Sequence, residues 1–96
     1  MAEEDLKGDT GRDEDDFSNA GIAASMGRWD KTLESYDDII SRNQSNWQAW
    51  QGRADALWQM DRYNESVDSY EKALELDPGN AILREQLDEA RKTAHK

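Results

Sequence analysis

The side chains able to do covalent or metal chemistry are few and scattered. The chain of 96 residues has no cysteine and a single histidine, His95, beside the C-terminus. Without a thiol, and with the one imidazole at the chain end, no nucleophile–base pair can be assembled. The same deficit removes thiolate or imidazole metal sites. The 22 acidic residues raise the question of calcium. Neither Asp9 to Phe17 nor Asp61 to Val67 supplies the oxygens and glycine of the Asp-x-Asp-x-Asp-Gly loop at the required positions. No glycine-rich phosphate cradle occurs. The tripeptides Asn43-Gln44-Ser45 and Asn64-Glu65-Ser66 match a glycosylation acceptor, but no export signal accompanies them and they read as chance. The expectation is a protein that is not an enzyme and uses no cofactor and no metal. Its work would fall to a surface.

The charge narrows what that surface could meet. Twelve basic against 22 acidic residues leave a net of −10, which repels a phosphate backbone, so no nucleic-acid partner is expected. Apolar runs are too short to cross a bilayer, so no membrane is expected either. No basic start followed by an apolar stretch appears. A soluble, cytoplasmic protein is the expectation. The charge is also uneven. Residues 1–16 hold eight acids and two bases, a net of −6. Met1 and Leu6 are their only large apolar side chains, too few to offset ordering entropy. Residues 1–13 are therefore read as an acidic, disordered tail.

Beyond the tail, apolar residues recur at i, i+3, i+4 and i+7, the spacing of amphipathic helices. Trp29, Leu33, Tyr36 and Ile40 form one stripe, with Ile39 beside it. Trp47, Trp50, Ala54 and Leu57 form a second. Val67, Tyr70 and Leu74, joined by Ala73, form a third, and Leu83, Leu87, Ala90 and Ala94 a fourth. No stretch alternates as a strand would. Asn46 and Asn80 stand where an N-cap is needed, and Asp77-Pro78-Gly79 closes the preceding helix. The spacing predicts helices over about 15–26, 29–42, 47–59, 63–76 and 81–94. In these, Trp29, Tyr36, Trp50 and Tyr70 are read as core.

Shifting the chain by 34 residues superposes it on itself. Ala20 falls on Ala54, Met26 on Met60, Arg28 on Arg62, Ser35 on Ser69, Tyr36 on Tyr70 and Asn46 on Asn80. The repeated unit is helix, tight turn, helix. A period of 34 residues with this content resembles the tetratricopeptide repeat. The second copy carries the likeness best, through Trp50, Ala54, Leu57, Tyr63, Ser66, Tyr70, Ala73 and Pro78. The first copy keeps Phe17, Ala20, Gly27, Trp29, Thr32 and Tyr36. It departs at Ala23, Ile39 and Gln44, where a larger residue, a small residue and proline are usual. The resemblance implies an all-α fold, a short right-handed α-solenoid of two helix-turn-helix hairpins with a C-terminal solvating helix. The divisions are 14–46 for a degenerate first repeat, 47–80 for the second and 81–96 for the capping helix. On the capping helix, Arg84–Asp88 and Asp88–Lys92 are spaced for i, i+4 ion pairs.

The resemblance further implies a non-catalytic protein-interaction module, with a concave groove lined by the first helix of each hairpin. Transferred to this chain, the groove residues are Phe17, Gln48, Gln51, Asp55, Trp58, Gln59, Ile82, Glu85 and Glu89, with Glu14, Gly21 and Ala24 beside them. Trp58 has two readings, an aromatic anchor for a ligand or a ring packed against the capping helix near Ile82 or under the first hairpin. Some family members hold acidic chaperone tails in a clamp of lysine, arginine and asparagine. Here Phe17, Gly21, Gly52, Ile82 and Gln86 stand at those positions, so the clamp is absent and an acidic groove would repel such a tail. The expected partner is a protein or peptide, basic or apolar rather than acidic. The alternative is a structural repeat that self-associates as a weak homo-oligomer, or a piece of a longer array, with no ligand of its own.

Overall fold

The structure, a computed structural model, describes residues 17–95. The predicted acidic tail and Glu14 lie outside the described residues. The described part of α1 covers 17–25, followed by α2 (Trp29–Arg42), α3 (Trp47–Gln59), α4 (Tyr63–Leu76) and α5 (Ala81–Ala94). The last four bounds coincide with the sequence expectation. The described residues contain no strand, and α2 to α5 pack chiefly on their neighbours in sequence. The architecture is an all-α solenoid.

The 34-residue period in sequence is also a period in hydrogen bonds. Helix α1 ends with the Arg28 N–H donating to the Ala23 carbonyl and the Gly27 N–H to the Ala24 carbonyl, at 2.8 and 3.0 Å. Helix α3 ends with Arg62 donating to Leu57 and Asp61 to Trp58, at 2.9 and 3.1 Å. Both are Schellman closures, which need a left-handed residue just past the helix. Gly27 takes it at φ +73° and Asp61 at φ +63°. The buried hydroxyls repeat as well. Thr32 Oγ1 reaches the Ala20 carbonyl at 3.4 Å and Ser66 Oγ the Ala54 carbonyl at 2.8 Å. Asn46 and Asn80 cap α3 and α5, each accepting through Oδ1 from the amide three residues on, at 3.3 and 3.1 Å.

The small residues at the helix crossings are fully buried: Ala20, Ala54 and Ala73 are each 0% exposed. A larger side chain there would push the helix axes apart. The main core joins Ala54, Tyr70, Ala73, Leu83, Leu87 and Ala90, with Trp47, Trp50, Val67 and Leu74 packed against it. It therefore lies within the second hairpin and α5. The first hairpin adds Ala20, Thr32 and Ile39.

Two expectations are corrected. Of the four aromatics read as core, only Tyr70 is buried, while Trp29, Tyr36 and Trp50 are half-buried. Trp50 keeps one edge in solvent, where its indole N–H donates to the Gln44 carbonyl at 2.9 Å. On α5, Arg84 reaches the Pro78 carbonyl instead of Asp88. Neither Arg84–Asp88 nor Asp88–Lys92 forms an ion pair. The cross-helix ion pairs are instead Arg53–Asp37 and Arg91–Glu71, both at 2.7 Å.

Candidate functional site

A glycine inside α3 sets the shape of the concave face. Gly52 is buried, and a Cβ placed there would sit 2.2 Å from Cζ of Tyr36. The missing side chain lets the Tyr36 ring lie over α3. That ring also meets Phe17 of α1 edge-on, with centroids 5.9 Å apart. Three helices are tied together at this point.

Beside Tyr36, a hollow of about 600 Å³ is lined by residues of all five helices. Trp29, Thr32 and Tyr36 of α2 and Tyr70 of α4 reach it from behind. Asp55, Ala56, Trp58 and Gln59 come from α3, Ala24 from α1, and Glu85, Gln86 and Glu89 from α5. Thr32, Ala56 and Tyr70 are buried and form its floor, while Glu85 and Glu89 are exposed on its rim. A smaller hollow of about 360 Å³ adjoins it, lined by Phe17, Gln48 and Gln51, and the two share Tyr36, Gly52 and Asp55. Gln51 donates to Gln86 at 2.8 Å and so joins α3 to α5 across the face.

Asp55 lines both hollows. Its Oδ1 accepts a hydrogen bond from the Tyr70 hydroxyl. Burial raises the Asp55 carboxyl above the usual aspartate range, and the Tyr70 bond offsets this only in part. The two tyrosines respond in turn. Tyr70 is pushed far above a normal phenol by burial, then by its bond to Asp55 and by the Asp55 charge. Tyr36 is raised by burial and then by Asp55.

The residues expected in the groove are thus mostly brought together. Asp55, Trp58, Gln59, Glu85 and Glu89 line the larger hollow, and Phe17, Gln48, Gln51 and Asp55 the smaller one. Ile82 lines neither and is 63% exposed. Gly21 has open space around it and also lines neither. Trp58 is 37% exposed and stands edge-on to Tyr63, with centroids 6.1 Å apart. Sequence reasoning missed Trp29, Tyr36 and Tyr70, because their stripes read equally well as core. The available signal was Gly52, a glycine in mid-helix where propensity disfavours one.

The family model described as tetratricopeptide repeat matches residues 47–80. No curated protein matches the chain. Among solved structures, the chain is similar to the first TPR of Spaghetti (RPAP3) bound to HSP90 peptide SRMEEVD, with 19% sequence identity and a TM-score of 0.76. The match covers 80% of this chain, which spans 61% of the solved one. At that identity the likeness is one of fold. The matched repeat and the shared fold agree with the hydrogen-bond period: residues 47–80 match a tetratricopeptide repeat, set in a solenoid of that fold.

Proposed function

We propose that the chain is a non-catalytic interaction module that holds a segment of a partner protein along the face of α1, α3 and α5. The observation that carries this reading is a continuous hollow with an aromatic wall and polar groups on its lining and rim, the usual composition of a recognition site. Phe17, Gln48 and Gln51 would meet one part of the segment. Asp55, Trp58, Gln59, Glu85 and Glu89 would meet the next.

The partner's character follows from charge. The peptide in the related solved structure carries three acidic side chains and one arginine. The lining here holds three carboxylates, Asp55, Glu85 and Glu89, and no lysine, arginine or histidine. A basic or apolar-plus-basic segment is the complementary ligand. The face is small, so binding in the micromolar range is expected, roughly −8 kcal/mol.

The test is an array of dodecapeptides whose polar positions are all basic, all acidic or all neutral, probed with the intact chain. Retention on the basic set is expected. Retention only on the acidic set, or on none, would refute the proposal. Trp58→Ala should abolish retention and leave the melting midpoint nearly unchanged. A second reading, self-association, draws on Ile22 of α1 and Met26 in the turn just after it, 59% and 61% exposed. Light scattering across a concentration series separates the two readings.

A further inference from the structure

The larger hollow has the chemistry of a socket for one cationic side chain. Its wall includes Trp29, Tyr36 and Trp58, rings whose faces attract a cation. Asp55 lines it where it joins the smaller hollow, and Glu85 and Glu89, one turn apart, are exposed on its rim. None of these three takes part in an ion pair among the described residues. The basic residue of α3 does not answer them. Arg53 is held elsewhere by Asp37 at 2.7 Å and the Ser69 hydroxyl at 2.6 Å. Asp55 is thus a half-buried carboxylate whose one hydrogen-bond partner is a neutral phenol. Leaving such a charge without a counter-ion is costly. A ligand bringing one would relieve it.

We infer that the hollow receives a single lysine or arginine side chain of the partner, its apolar stem between Trp29 and Trp58 and its charged head at Asp55. This rests on the groove reading above and adds the residue that anchors there. The stem suits the aromatic wall because long basic side chains bury their methylenes and keep only the head polar. An acidic head would face three carboxylates, and a neutral one would leave Asp55 uncompensated.

The chain has four tryptophans, and only Trp29 and Trp58 line the hollow. Their indole N–H signals in a ¹H–¹⁵N spectrum therefore report on it, with Trp47 and Trp50 as internal controls. The probes are n-butylammonium, n-propylguanidinium and the neutral n-butanol. Saturable shifts of the Trp29 and Trp58 signals with the two cations, absent with n-butanol, are expected. Asp55→Asn should raise the Kd of n-butylammonium about tenfold. Asparagine keeps an oxygen for the Tyr70 hydroxyl, so this variant retains the fold. Glu85→Gln with Glu89→Gln, both on the exposed rim of α5, should weaken the cations in a salt-sensitive way. Equal shifts with n-butanol, or unchanged affinity in Asp55→Asn, would overturn the inference. If basic peptides are retained on the array while the Trp29 and Trp58 signals stay still, the socket is refuted and the wider groove reading survives. Failure of every peptide removes that wider reading itself.

Discussion

Asp55 is a half-buried carboxylate whose one hydrogen-bond partner is the Tyr70 hydroxyl. Its carboxyl is raised in the folded chain, so its ionisation opposes folding, and that penalty is present at neutral pH. The penalty shrinks as pH falls through the raised folded value, and it is gone below the ordinary aspartate range. Asp55→Asn is therefore expected to melt higher than the parent at pH 7. That advantage should disappear on acidification toward pH 3, which thermal melts across a pH series would show. A parent that melts higher than the variant at pH 7 would contradict this account. Asp61 offers a second residue-scale prediction. It holds φ +63° where the first hairpin uses Gly27. The left-handed cost of a side chain is about 1–2 kcal/mol, and glycine's added freedom when unfolded is about 0.4–1 kcal/mol. Asp61→Gly also removes the bond that the Tyr63 hydroxyl donates to Asp61 at 2.7 Å, worth about 0.5–1.5 kcal/mol, so a denaturant melt should shift by less than about 1 kcal/mol. Trp50, with one edge in solvent, should cost about 2–3 kcal/mol on truncation to alanine, below the ~3–5 of a fully buried ring.

The helices themselves were legible because their ends are written in residue types with few alternatives. Asn46 and Asn80 cap, Gly27 and Asp61 close, and Pro78 forbids continuation. Which side of each stripe meets water was less legible. Trp29 and Tyr36 share α2 with Ile39 at helical spacing, and a periodicity cannot distinguish a ring that seals a core from one that walls a hollow. The deciding residue lies on another helix. Gly52 makes room for Tyr36, and that relation across 16 positions has no local signature. Placing an alanine there tests it. Helix propensity favours alanine by about 1 kcal/mol, while displacing Tyr36 from Phe17 loses an aromatic pair worth about 0.5–1.5 kcal/mol. Gly52→Ala should therefore change stability by less than about 1 kcal/mol yet move the Tyr36 ring signals. A fall of several kcal/mol would show Tyr36 to be more firmly held than its half-exposed position suggests.

At the scale of the whole molecule, the core is lopsided. Its largest cluster joins the second hairpin to Leu83, Leu87 and Ala90 of α5, so the terminal helix is structural as well as solvating. Leu83→Ala should cost about 2–5 kcal/mol, a large share of what a domain of this size possesses, and calorimetry should show a broad, weakened transition. The likeness to a solved interaction domain was foreseeable from the period. The meeting of Asp55, Glu85 and Glu89 at one hollow was not, because it depends on how two helices, α3 and α5, are set side by side. The matching brackets at Asn46 and Asn80 reach further. Each closes one unit and opens the next with the same side-chain bond. A second copy of 47–80 spliced in after position 80 would find its starting bracket already in place. It would extend the trough by one more aspartate and tryptophan and, under the proposed reading, turn a single socket into a ruler for evenly spaced cations.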